Sequence, residues 1–446
     1  MVETHRSHGT RPSIFHNVVS GLTVSFVAIS LGAAFGVLSG RGAFAGIMSA
    51  GIIALVTAAL GGTRVQCSGP TAPMTAVSAV VVAMAHDRLL RIIPGADPDR
   101  FINLVFLLTG IIVLLFALFR LGRFIRVVPR VVVSGFMNGI AILIWVDQFY
   151  KLTGTGGRDP MTGSLTQNVL LAVVTFVLVF FGPRVLERHT PHAAPFIPVT
   201  LLTVVLMSVV AAAANLGVEH VRFDVSLRSI TDFTNLVATQ FPTEWSGRAL
   251  RLALPFALQL AMLAYLDTLL TSLVVDKLSG EHTRQDRELA AQGLANGLIS
   301  LVGGIPGAQA TIRSVLIIKE GATLRLAGVL VGVFVLIEMV ALQDLIGAVP
   351  LAVFTGILIK VGYDVFDWHP VGSYVRRLLG GTKRPAGGMI THGEVLFIGG
   401  TTAATLVWNL NAAVIGAALL FYAVRRWWDI PDLAEETATV GVEEED

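Results

Sequence analysis

Long apolar runs, each closed by charged residues or by glycine and proline, follow one another along nearly the whole chain. An apolar helix needs about 20 residues to cross a bilayer. Read by length against that measure, the runs predict fourteen segments at 14–38, 43–61, 73–85, 101–119, 130–150, 167–185, 195–214, 249–276, 286–302, 310–319, 324–342, 346–362, 391–408 and 410–426. The pattern is that of an all-α membrane protein. The third segment and the tenth, which is third in the second set of seven, are only about a dozen residues long and read as half-helices. A repeat of seven segments must insert upside down the second time, so the halves read as inverted repeats.

The two short segments are echoes of one another. The first is CSGPTAPMTAVSAVVVAMA, from Cys67; the second is GGIPGAQATIRSVLII, from Gly303. Each starts with small residues and proline, passes through threonine and enters a short apolar run. Paired, interrupted helices of this kind mark a substrate site at mid-membrane. Their N-termini present free N–H groups and positive dipole ends, which suit an anion. Thr71, Ala72, Met74 and Thr75 open the first, and Ala310, Thr311 and Arg313 open the second. Threonine is also a favoured N-cap, so plain capping is the structural alternative. Arg313 is a costly charge inside the membrane. It either supplies positive field to the anion or pairs with a nearby carboxylate.

Composition sharpens the class. The 446 residues are 54% hydrophobic and 14% charged, against about 25% charged in a soluble domain. A net charge of +2 names no partner, and nothing points to nucleic acid. The single cysteine, Cys67, excludes an internal disulfide and reads as a small packing residue. The polar start MVETHRSHGTRPSIFHN lacks the apolar core of a cleaved signal. With the N-terminus inside, 21 of the 32 basic residues fall on the inner side and ten on the outer, with Arg313 in the membrane. That bias predicts a multi-pass protein of the cell (inner) membrane with both termini cytoplasmic. The polar stretch 215–248 should lie outside, and 363–390, mixing aromatics with arginines, along the inner surface.

Asp267 lies in QLAMLAYLDTLLTSLVVD, where a carboxylate is expensive. Thr271 is four residues on and shares its helix face. Together with unwound backbone near Gly307–Ala310 they would form an all-oxygen cation site; an ion pair with Arg313 is the alternative. Glu338 reads as an interhelical hydrogen bonder or a proton-relay group. Asn138 and Gly139 read as close-packing positions, and Asp147 and Gln148 as an interface pair. His86, His189, His192, His369 and His392 show no metal-ligand spacing.

The motifs GPTAPMTAV, PRVVVSGFMNGIAILIWVDQ, RELAAQGLANGLISLVGGIPGAQATIRSV and AVPLAVFTGILIKVGYDVFDW, in that order, resemble the SulP family of anion transporters over roughly residues 14–426. The similarity is greatest to its BicA branch of sodium-dependent bicarbonate transporters. The resemblance implies a uracil-permease-like fold of 14 transmembrane segments in a 7+7 inverted repeat. It implies a cytoplasmic N-terminus at 1–13 and a core domain at 14–122 and 248–345. A gate domain would take 123–247 and 346–428, ahead of an acidic disordered tail at 429–446. It implies elevator-like transport of a small inorganic anion, bicarbonate or sulfate, across the lipid bilayer, with sodium as the coupling ion and no other cofactor. By resemblance the anion is held by Thr71, Ala72, Met74, Thr75, Ala310, Thr311 and Arg313. Sodium is held by Asp267, Thr271, Gln309, Ala310 and Thr311. The family also adds a cytoplasmic STAS domain, through which its homodimers partly form. Only 18 residues follow Trp428, so that domain is expected to be absent.

Three rival readings stay open. Sulfate or a dicarboxylate could move with protons or by exchange. A nucleobase permease shares the architecture, but its site needs carboxylates for base N–H groups, which Arg313 does not suit. A sensor would bind anion without net transport. No Ser/His/Asp, paired-aspartate or HExxH arrangement points to an enzyme.

Overall fold

The computed structural model describes residues 14–123, 129–155, 161–189, 199–221, 230–243, 245–379, 390–407 and 410–425. Helices dominate it. They are α1 (Ile14–Ser39), α2 (Gly42–Leu60), α3 (Ala72–Ile92), α4 (Pro98–Leu118), α5 (Arg130–Thr153), α6 (Leu165–His189), α7 (Val199–Ala213), α8 (Ile230–Gln240) and α9 (Gly247–Ser279). They continue with α10 (Gln285–Ser300), α11 (Thr311–Lys319), α12 (Arg325–Ala341), α13 (Gln343–Gly347), α14 (Leu351–Val365), α15 (Trp368–Leu378), α16 (His392–Val407) and α17 (Leu410–Arg425). Two short strands, β1 (Ser68–Gly69) and β2 (Ala308–Gln309), complete the set.

Among the described residues, each apolar run read from the sequence overlaps a helix. Six helices are long and apolar enough to cross a membrane among the described residues. Large apolar side chains stand exposed on them and their neighbours, among them Leu118, Leu170, Val209, Ile337 and Leu419. Each would cost about 1.5–3 kcal/mol to leave in water, so these faces belong against lipid.

Three helices were not among the predicted runs. Helix α8 forms inside the polar stretch 215–248, α13 follows α12, and α15 lies within the stretch expected along the surface. The third segment also needs correction. The apolar run 73–85 predicted a half-helix, yet α3 has 21 residues, roughly 30 Å of helix. The charged residues His86, Asp87, Arg88 and Arg91 end the apolar run but not the helix, because HDRLLRI holds no glycine or proline. Of the two expected half-helices, α11, at nine residues, is the one that is short. The expected N-terminal piece 1–13 and acidic tail 429–446 lie outside the described residues. So do 124–128, 156–160, 190–198, 222–229 and 380–389, which carry several of the counted basic residues.

The chain divides into two compact units. Unit 1 comprises Met1–Gly122, Phe181–Leu206 and Val221–Ala348; unit 2 comprises Arg123–Phe180, Met207–His220 and Val349–Asp446. Beside the boundaries expected from the resemblance, 181–206 and 221–247 group with unit 1.

In unit 1 small residues set the spacing. A Cβ on Gly46 of α2 would stand 1.9 Å from the Gly32 carbonyl oxygen of α1, so the two backbones touch there. Asn17 of α1 accepts from the amides of Thr323 and Leu324 (3.0 and 2.9 Å), satisfying donors at the start of α12. Glu338 of α12 accepts from Ser25 of α1 at 2.5 Å, the interhelical bond of the sequence reading.

In unit 2, α5 packs on α14 and α16. Gly139 lies against Thr405. Asn138 does more than pack: its side-chain oxygen accepts from the Asp367 amide at 2.7 Å. Gln148 donates to Asp147 (3.0 Å), which also pairs with Lys151 on its own helix (3.0 Å).

Candidate anion and cation site

The two broken stretches meet inside unit 1. Glycine and proline stop helix formation at 61–70 and 303–307, leaving short extended pieces with unsatisfied backbone groups. Those pieces satisfy each other. β1 and β2 pair antiparallel, with Ser68 opposite Gln309 and Gly69 opposite Ala308. Cys67 extends the ribbon: its carbonyl accepts from Ala310 N (3.1 Å) and Ser314 Oγ (3.3 Å), while its amide donates to Ser314 Oγ (3.2 Å). Because the strands run antiparallel, α3 and α11 leave the ribbon in opposite directions, each starting within three residues of its end.

The ribbon is tight enough to demand glycine. A Cβ on Gly307 would stand 2.3 Å from the Gly69 carbonyl oxygen. A Cβ on Gly69, whose φ is +153°, would stand 2.8 Å from Nη1 of Arg313. The guanidinium thus lies directly against β1. Its Nη2 donates to the Pro70 carbonyl at 2.8 Å. Its Nη1 is buried without a partner, and the residue is 1% exposed.

Helix α9 supplies the other wall. Thr268 Oγ1 accepts from Gln309 N at 3.3 Å. The hydroxyls of Thr271 and Thr311 share a hydrogen bond of 2.6 Å. The Thr71 hydroxyl faces the Asp267 carboxylate without closing a well-formed hydrogen bond. Thr71 is the residue before α3, yet its side chain caps nothing. Plain N-capping is therefore not what this threonine does.

Unpartnered polar atoms concentrate here. Thr71 Oγ1, Thr75 Oγ1, Asp267 Oδ2, both side-chain polar atoms of Gln309 and Arg313 Nη1 are all buried and unbonded. A buried group left so costs about 1–3 kcal/mol. Such a cost gathered in one place is what a binding site shows before its ligand is counted. The set holds donors for an anion (Arg313, Gln309 Nε2, the threonine hydroxyls) and acceptors for a cation (Asp267 Oδ2, Gln309 Oε1). Asp267 and Arg313 attract one another, and no ion pair within 4 Å joins them among the described residues.

The sequence-derived residues fall as follows. Thr71, Thr75, Gln309, Arg313, Asp267 and Thr271 gather around the ribbon. Ala72 and Met74 are buried in the first turn of α3, and Met74 offers its amide there. Ala310 is buried, but its amide is already spent on Cys67, so it can contribute only its carbonyl side. Thr311 is exposed and bonded to Thr271. Cys67 is buried, as a packing residue should be.

The sequence reading missed what stands behind the ribbon. Glu288, Gln292 and Asn296 recur every fourth residue on α10 and so share one face. Glu288 is fully buried and accepts from Thr63 N (2.9 Å), Gln66 Nε2 (2.9 and 3.0 Å) and Gln292 Nε2 (3.1 Å). Gln292 also donates to Ser68 Oγ of β1 (2.7 Å). Asn296 bonds both backbone groups of Gly307 (2.8 and 3.0 Å). This polar ladder grips each strand of the ribbon. A polar residue every fourth position among alanines and glycines was the available signal.

A family model described as the sulfate permease family matches residues 14–377. The chain belongs to the sulfate permease (SulP) family. Members similar to it include the bicarbonate transporter BicA of Picosynechococcus sp., 31% identical over 397 residues, covering 85% of this chain and 66% of the relative. BicA of Synechocystis sp. is 31% identical over 368 residues (79% and 61%). A putative sulfate transporter of Bacillus subtilis is 26% identical over 427 residues (91% and 72%). The chain thus spans about two thirds or less of the length of its BicA relatives. Among solved structures, the transmembrane domain of a cyanobacterial BicA matches with a TM-score of 0.72 at 27% identity, covering 91% of this chain and 97% of that one. The murine Solute Carrier 26 family member A9 shares the fold at a TM-score of 0.72 and 14% identity (95% and 70%). This SulP chain thus belongs to a family of integral membrane transporters, and the relatives it matches are named as transporters, not enzymes.

Proposed function

We propose that this protein carries bicarbonate into the cell together with sodium. The observation that carries the reading is the cluster of unbonded buried groups at the ribbon, which offers donors and acceptors side by side. The anion is received by Arg313 Nη1, the Thr71 and Thr75 hydroxyls and the free amides that open α3 and α11. Met74 and Ala72 line that receiving turn. Sodium is received by Asp267 Oδ2, the hydroxyls of Thr271 and Thr311, Gln309 Oε1 and the Ala310 carbonyl, an all-oxygen set suited to a hard cation. Filling one half favours the other, because each ion brings the charge the other half lacks. The names of the two 31% identical relatives support bicarbonate over other anions.

The architecture we propose has fourteen membrane segments in a 7+7 inverted repeat, with both termini cytoplasmic and the protein in the cell (inner) membrane. Segments 1–4 and 8–11 form a core that carries the site. Segments 5–7 and 12–14 form a gate past which the core moves as an elevator, in a homodimer. A second reading is sulfate transport, favoured by the name of the Bacillus subtilis relative.

The test is uptake of labelled bicarbonate into proteoliposomes with and without an inward sodium gradient, with labelled sulfate in parallel. Sodium-stimulated bicarbonate uptake supports the proposal. Sulfate uptake indifferent to sodium replaces it with the second reading, and binding without flux makes the protein a sensor.

A further inference from the structure

One end of unit 1 holds a cavity of about 530 Å³ that the proposed transport site does not use. Three separate stretches line it: the turn after α2, the turn from α9 into the first turn of α10, and the start of α12. They bring together Arg64, Arg284, Arg287 and Arg325, with His282 and a single carboxylate, Glu281.

The bonds these arginines make leave most of their charge unanswered. Arg64 Nη1 pairs with Glu281 at 2.8 Å. Arg287 Nε donates to the Leu60 carbonyl (2.8 Å), and Arg325 Nη1 to the carbonyls of Gly61 (2.8 Å) and Ala58 (3.3 Å). These last bonds finish the C-terminal end of α2 and pin two guanidiniums by one edge. A guanidinium has five donors, so each keeps a free edge. Arg284 is exposed and makes no side-chain hydrogen bond among the described residues.

The neighbouring acids are engaged elsewhere. Asp286 Oδ1 accepts from Gly122 N at 3.0 Å. Glu288, buried in the ladder behind β1, attracts Arg325 from behind the wall but does not line the cavity. Four guanidiniums therefore face one carboxylate around an open cavity. Helices α10 and α12 also begin at this wall with no side-chain cap. Like charges held this close repel, and an anion between them removes the cost. Arginine forks match phosphate oxygens in pairs. The volume falls in the range of organic-ligand pockets and is far larger than one inorganic oxyanion requires.

We propose that this cavity binds a phosphate-bearing anion through Arg64, Arg284, Arg287 and Arg325, supplied by a soluble phosphate compound or by an acidic phospholipid headgroup. The site is separate from the ribbon and does not depend on which ion is transported. Under the topology proposed above it opens to the cytoplasm, where both sources are available.

The experiment uses the purified chain in neutral detergent. Inorganic pyrophosphate is titrated by calorimetry, and thermal unfolding is followed in mixed micelles containing phosphatidylglycerol or phosphatidylcholine. Saturable pyrophosphate binding identifies a soluble source. A midpoint raised by phosphatidylglycerol and not by phosphatidylcholine identifies a lipid, and both together mean that the phosphate group alone is recognised. Each should weaken at least tenfold in R64Q/R284Q and survive in R313Q. Should the double variant fail to fold, R284Q alone should weaken binding at least threefold, since it removes no internal bond. Absence of binding by all probes, wild-type binding in R284Q and R64Q/R284Q, or loss of binding in R313Q would each overturn the proposal.

Discussion

Replacing Gly307 with alanine tests whether the ribbon holds the site. The new Cβ would stand 2.3 Å from Gly69 O, 2.4 Å from Gly69 C and 2.8 Å from Pro70 N, all backbone atoms. Carbon and carbonyl oxygen meet at about 3.3–3.6 Å, so the strands must part by roughly 1 Å. An opening of that size takes bonds near 3 Å past the limit of a useful hydrogen bond. The Ala310–Cys67 bond and the two bonds from Asn296 to Gly307 are the ones at risk. At about 1 kcal/mol each they cost roughly 3 kcal/mol, with about 1–3 kcal/mol more for overpacking. The Arg313–Pro70 bond at 2.8 Å would shift with them, carrying Nη1 away from its place against Gly69. A misplacement of about 1 Å can cost on the order of 100-fold in rate. The expected outcome of Gly307→Ala is a lower thermal midpoint and a loss of about 100-fold in the initial rate of labelled bicarbonate uptake. Gly347→Ala is the control, since a Cβ there meets nothing within 4 Å. Wild-type uptake with an unchanged midpoint in Gly307→Ala would show that the ribbon does not set the site.

Three further outcomes are expected. Asp267→Asn should abolish sodium stimulation of uptake while the protein still folds, and sodium dependence retained in that variant would remove Asp267 from the cation half. Arg313→Ala should weaken anion binding by at least tenfold, about 1.4 kcal/mol, with a smaller effect on sodium binding; equal affinities by calorimetry would take Arg313 out of the anion half. Glu288→Ala strands the buried Thr63 amide at about 1–3 kcal/mol and takes one partner each from the Gln66 and Gln292 amide groups, which keep Thr57 O and Ser68 Oγ, so its midpoint should fall clearly below that of Glu288→Gln, and identical midpoints would deny the ladder its supporting role.

Parts of the site were legible because they follow from local rules. Proline and glycine ahead of Thr71 and Thr311 stop a helix and start another, whatever surrounds them. An arginine or aspartate in an apolar run is expensive enough to be noticed, and Arg313 and Asp267 do lie together at the ribbon. Other parts follow no local rule. Nothing near Cys67 says that its carbonyl will accept from Ala310, 243 positions away, or that this spends the Ala310 amide. The length of α3 was misread because an apolar-run rule stops at charge, whereas helical hydrogen bonding runs on until a residue breaks it. After Pro73 the first such residues in this chain are Pro94 and Gly95, and α3 ends just short of them at Ile92.

By itself the sequence determined the class of the protein and the location of the helices built on its apolar runs. Burial of apolar runs in lipid is a property of each run alone, and so is the break at each glycine–proline stretch. It also determined the residue types at hand: two threonine-led helix starts, one intramembrane arginine and one aspartate. Only the tertiary structure decided how these meet. The β1–β2 pairing, the contact of Arg313 with Pro70 and the ladder of Glu288, Gln292 and Asn296 all join distant positions. The physical reason is that a buried polar group must find a partner somewhere, and which partner it finds depends on what the packing of small residues brings within about 3 Å.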